Sequence, residues 1–69
     1  MFDKAAFREA IDSSGKTAKE IAADIGIDES TFYRKINDNG RFTRQEIGKI
    51  ADIFGMPKTI SIFFAEALA

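Results

Sequence analysis

The sequence predicts an all-α fold, a compact bundle of five short helices. Apolar residues recur at three- and four-residue spacings in five separate stretches. The first four of these stretches each run into a glycine, Gly15, Gly26, Gly40 and Gly55, the residue that most often closes a helix. No period-two run of β-branched residues appears, so no strand is expected.

The elements follow in order. The first helix is expected at about 3–14, with Asp3 as N-cap and Ala6, Phe7, Ala10 and Ile11 on its inner face. The second, about 18–25, opens on Thr17 with Glu20 three residues on, a capping box in which each side chain serves the other's backbone N–H. Its inner face is Ile21, Ala22 and Ile25. Asp28 caps a third helix at about 29–38, which turns Phe32 and Ile36 inward. A second capping box, Thr43 with Glu46, starts the fourth at about 44–54, where Ile47, Ile50, Ala51 and Phe54 fall at i, i+3, i+4 and i+7. Pro57 suits the start of a fifth helix at about 58–68. Hydrophobic staples are expected between Phe2 and Phe7, Ile27 and Phe32, and Phe42 and Ile47.

Composition limits the chemistry. At 69 residues the chain is expected to form one small domain, 1–69, held by apolar packing, since there is no cysteine for a disulfide and no Cys/His set for zinc. Without His or Cys, the commonest general base and the strongest nucleophile are both missing. No enzyme activity, cofactor or small-molecule ligand is expected. The charged N-terminus and the lack of any long apolar run predict a cytoplasmic protein with no membrane partner.

Charge is unevenly spread. The net charge is −1, yet residues 34–49 carry five cations, Arg34, Lys35, Arg41, Arg44 and Lys49, against Asp38 and Glu46, net +3. A local field of that sign matters more to a polyanion than the total. The second and third helices are each too short to persist alone, and the turn between them contains Gly26. A helix pair with a short glycine-containing turn is the helix-turn-helix arrangement.

Residues 17–36, TAKEIAADIGIDESTFYRKI, resemble the helix-turn-helix of the phage-repressor and Cro family of transcription regulators, also called the Xre family. The resemblance rests on the small Ala22, on Gly26 four residues later, on the apolar Ile27, and on Phe32 and Ile36 in the third helix. The segment GRFTRQEIGKIADIFGM is similar to the fourth helix of small phage-type members, and the five-helix layout extends the likeness over nearly the whole chain.

The resemblance implies a lambda-repressor-like DNA-binding domain whose third helix lies in the major groove of a double-stranded DNA operator. It carries base reading to Glu29, Ser30, Tyr33 and Arg34. Phosphate contacts are expected from Lys16, Thr17 and Lys19 around the second helix's start, from Asn37, and from Arg41, Thr43, Arg44 and Gln45 around the fourth helix's start. Where many members place Gln at the first residue of the second helix, this chain has Ala18.

The fifth helix carries more apolar residues than one stripe needs. With Ile60, Phe64, Ala67 and Leu68 assigned to the core, Ile62 and Phe63 are expected to form a contact surface for a homodimer, with Ala65 and Ala69 allowing close backbone approach. An alternative function is an antirepressor-like helix-turn-helix module that captures a partner repressor protein instead of DNA.

Overall fold

A computed structural model describes residues 1–64. It contains α1 (Lys4–Ser13), α2 (Ala18–Asp24), α3 (Glu29–Asn37), α4 (Arg44–Phe54) and α5 (Met56–Phe63), and all regular structure among the described residues is helical. The helices pack in pairs: α2 lies on α3, α4 on α5, and α1 against α5.

The caps form as the local sequence dictates. Asp3, Thr17, Asp28 and Thr43 each accept the backbone N–H three residues on, at 2.9–3.2 Å. Both capping boxes close, with the Thr17 and Thr43 N–H groups donating to Glu20 and Glu46 at 2.8 Å. The turn between α2 and α3 is a Schellman motif. Gly26 N–H donates to the Ala23 carbonyl (3.1 Å) and Ile27 N–H to the Ala22 carbonyl (3.0 Å). Gly26 takes φ +88°, a left-handed value that an L side chain resists.

The end of α3 differs from the sequence expectation. Asn39, at φ 58°, takes the first left-handed position, and Gly40 N–H donates to the Lys35 carbonyl at 2.9 Å. Asparagine tolerates that region better than other side chains. Gly40 comes second, at φ 66°, and is buried against Phe2, so that a Cβ there would overlap the ring.

The core is built on Phe7, which is fully buried. The rings of Phe2, Phe32, Phe42, Phe54 and Phe63 all have centroids 5.4–5.9 Å from it. Tilted and edge-on pairs at such spacing add to the gain from burial alone. Ala10, Ile21, Ala22, Ile25, Ile36, Ile50 and Ile62 complete the cluster.

The α5 face corrects the sequence reading. Ile62 and Phe63, expected as an exposed contact surface, are buried at 1% and 8%, whereas Ile60 and Phe64, expected inside, are 36% and 51% exposed. The inward stripe is Thr59, Ile62 and Phe63. Thr59 can take an inward position because its hydroxyl donates to the Gly55 carbonyl at 2.8 Å, which satisfies its polar atom within the helix. The helix also begins at Met56, with Pro57 in its first turn, where a missing N–H costs nothing. Asp3 N–H donates to the Ile62 carbonyl at 2.7 Å, tying the start of the chain to that buried side. Ala65, Ala67, Leu68 and Ala69 lie outside the described residues.

Gly48 sits inside α4, exposed, with open space where a Cβ would project. Gly48→Ala should therefore stabilise the fold by about 0.5–1 kcal/mol, because glycine loses more backbone freedom in a helix. A thermal melt followed by circular dichroism reads this as a higher midpoint. A lower one would contradict the open surface at that position.

Candidate nucleic-acid interface

Burial of Phe32 and Ile36 orients α3, leaving Glu29, Ser30, Tyr33, Arg34 and Asn37 exposed along its outer side. These are the residues at which the sequence places base reading, together with Asn37. The helix is anchored at both ends, by the Asp28 cap and by the Asn39–Gly40 turn, so its outward side chains project from a fixed backbone. Hydrogen bonding from Thr31 holds the Asp28 carboxyl below its ordinary pKa, with a smaller contribution from Arg34. Asp28 therefore stays anionic and works as a cap at the positive end of the helix.

Tyr33 is 40% exposed and leans toward α1 and α2. It lines a shallow cleft of about 150 Å³ with Arg8, Ile11, Asp12, Ala18 and Ile36. Arg8 is a cation that the charge distribution did not single out. Only tertiary packing brings α1 beside Tyr33, and nothing in the local sequence around Arg8 signals it.

At the start of α2, Lys16 is engaged. Its ammonium lies 2.8 Å from the Asp24 carboxylate, which raises the lysine's pKa through that hydrogen bond first and its charge second. Thr17 accepts the Glu20 N–H, and its own N–H is taken by the Glu20 carboxylate. Its hydroxyl hydrogen remains a donor. Lys19 is exposed and Ala18 half-buried.

The start of α4 carries exposed cations. Arg44 and Gln45 are exposed, and Arg41 stands in the loop before them, 3.7 Å from Asp38 with both side chains mostly in solvent. A contact so open contributes little and yields readily to a phosphate. Thr43 is the exposed cap.

The cationic window divides in three dimensions. Arg34, Arg41 and Arg44 point outward along α3 and the segment after it. Lys35 turns inward to Glu46, at 2.7 Å. Lys49 lies beside Gly26, at the turn between α2 and α3. The five charges are therefore not one patch.

A short helix pair closed by a Schellman turn, with the second helix exposing a polar face and followed by a segment that carries Arg41 and Arg44, defines a helix-turn-helix protein. Residues 7–58 match the Cro/C1-type HTH DNA-binding domain, and the chain belongs to that family. No curated protein and no solved structure matches it. Membership supports double-stranded DNA as the ligand class and a DNA-binding regulator as the class of protein. No described helix is long and apolar enough to cross a membrane.

Proposed function

We propose that the chain is a sequence-specific transcriptional regulator, Cro- or repressor-like and of phage or prophage type, that acts in the cytoplasm by occupying an operator and blocking a promoter. Residues 1–69 act as one domain and carry out no catalysis. The observation that carries this reading is the outer side of α3. Ser30, Tyr33 and Arg34 stand exposed there while Phe32 and Ile36 hold the opposite side in the core.

In this reading α3 enters the major groove. Arg34 donates two hydrogen bonds to guanine O6 and N7, the arrangement its planar guanidinium fits best. Ser30 bonds a base edge, Glu29 accepts from cytosine N4, and Tyr33 packs on a thymine methyl. Arg41, Arg44, Gln45 and the Thr43 hydroxyl hold one strand's phosphates, and Asn37, Lys19 and Thr17 contribute at the flanks. Phosphate contacts position the domain, and base contacts select the sequence. A homodimer through α5 would use Ile60 and Phe64, which with Met56 are exposed apolar side chains on this helix and its C-cap. Two recognition helices one DNA turn apart, about 34 Å, would then read a palindrome.

A gel shift over a salt series, with a duplex selected from a random-sequence pool, tests the reading. Log affinity should fall steeply with log salt. Arg34→Ala should weaken binding to the selected duplex by roughly 5- to 150-fold and relax its base preference, from the 1–3 kcal/mol of a bidentate pair. Arg44→Ala should weaken all sequences alike and lower the salt slope by about 1. No shift at micromolar protein in low salt would reject the proposal.

A further inference from the structure

Lys35 follows Arg34 on α3 but faces the other way. Its ammonium donates to both carboxylate oxygens of Glu46, at 2.7 and 2.9 Å, and the two side chains are only 19% and 12% exposed. It also lies 5.9 Å from the centroid of the buried Phe42 ring. Glu46 is the third residue of α4, and the oxygen nearest Lys35 is the one that accepts the Thr43 N–H at 2.8 Å. One carboxylate thus caps α4 and holds α3 in the same contact.

The backbone of Lys35 acts at the other end of the same loop. Its carbonyl accepts from Asp38 N–H at 3.2 Å and from Gly40 N–H at 2.9 Å. One residue therefore fastens both ends of the segment from Asp38 to Thr43, which carries Arg41 and delivers Arg44. The helix pairing gives this link its importance. α3 packs mainly on α2, and α4 mainly on α5, so the base-facing helix and the phosphate-facing helix start belong to different pairs. The Lys35–Glu46 contact spans them. Burial pushes the Glu46 carboxyl up, but the Lys35 ammonium and the Thr43 N–H outweigh it and hold the group below its ordinary pKa.

We propose that Lys35 is a positioning residue for duplex recognition: through Glu46 it locks α3 to the first turn of α4, so that Arg34 reaches base edges only in the placement where Arg41 and Arg44 reach phosphates. The inference rests on the DNA-binding reading above and deepens it. Lys35 itself touches no DNA. Its charge is spent inside the protein, and its product is specificity.

The test uses the full chain, the duplex that the wild type selects from a random-sequence pool, and a scrambled duplex of equal length. Three variants are compared with wild type at a temperature where circular dichroism shows each folded. Lys35→Met keeps the aliphatic stem, Glu46→Gln keeps an acceptor for the capping box, and Lys35→Arg keeps the charge. The first two change net charge in opposite directions. A merely electrostatic role would make Lys35→Met weaken both duplexes and Glu46→Gln strengthen both, leaving the ratio of selected to scrambled affinity unchanged. Loss of the lock instead lowers that ratio in both variants, by about tenfold, and Lys35→Arg recovers most of it. In the Lys35→Met background, Arg34→Ala should also cost less than it does alone. An unchanged ratio in the first two variants, with the wild type still selecting its duplex, overturns the lock and leaves DNA binding standing. A wild type that selects no duplex overturns both.

Discussion

Phe7→Ala should cost about 3–5 kcal/mol of stability, the usual range for deleting a buried aromatic ring. At about 0.05–0.15 kcal/mol per residue, a chain this short has a total stability of only roughly 3–10 kcal/mol, so the variant should stand at or beyond the edge of folding. The size of the effect follows from where the ring lies. Phe7 is fully buried and meets five other phenylalanine rings, contributed by α4, α5, the middle of α3, the loop before α4 and the residue before the Asp3 cap. No one neighbour can fill the gap, because each is already pinned by its own helix or loop. Loss of the ring also removes several edge-on and tilted pairs at once. Urea denaturation or a thermal melt reads the result, and the midpoint should fall on the order of 12–40 °C. Phe7→Leu, which refills part of the space, should recover about half of the loss. A Phe7→Ala protein within about 1 kcal/mol of wild type would show that the ring is not the centre of the core.

Gly40→Ala is the second large effect, expected at about 2–4 kcal/mol from two sources. The backbone sits at φ 66°, where an L side chain is strained, and the new Cβ would overlap three carbons of the Phe2 ring. Phe2 would have to leave its place 5.2 Å from Phe63 and 5.4 Å from Phe7. Gly15→Ala supplies the control. Gly15 has φ 76° but nothing within 4 Å of a Cβ, so it should lose only the backbone contribution, about 1 kcal/mol. Chemical denaturation of both proteins isolates the Phe2 contact as their difference, and equal losses would rule out the overlap. Because the loop leads directly to Arg41, Gly40→Ala should also disturb duplex binding more than Gly15→Ala does.

What the sequence made legible was local. Asp3, Thr17, Asp28 and Thr43 reveal themselves as caps because each bond is settled within four residues. Phe32 and Ile36 mark the inner side of α3 by spacing alone, and the outward direction of Ser30, Tyr33 and Arg34 follows. What stayed hidden depends on distant partners or on a polar group satisfied out of sight. Thr59 looks like a surface residue until its hydroxyl is seen bonded to Gly55, and that one residue turns the α5 stripe from Ile60 and Phe64 to Ile62 and Phe63. Lys35 looks like one cation among five, because nothing within its own helix shows the pull of a carboxylate eleven residues on. Arg8 comes beside Tyr33 only by packing.

Tyr33 has a practical consequence. The chain contains one tyrosine and no tryptophan, so emission excited in the tyrosine absorption band arises from a single ring on the outer side of α3. The seven phenylalanines, six of them in or packed against the core, scarcely absorb at the same wavelength. Spectroscopy at that band watches α3 alone, and the molecule carries its own reporter without any added label.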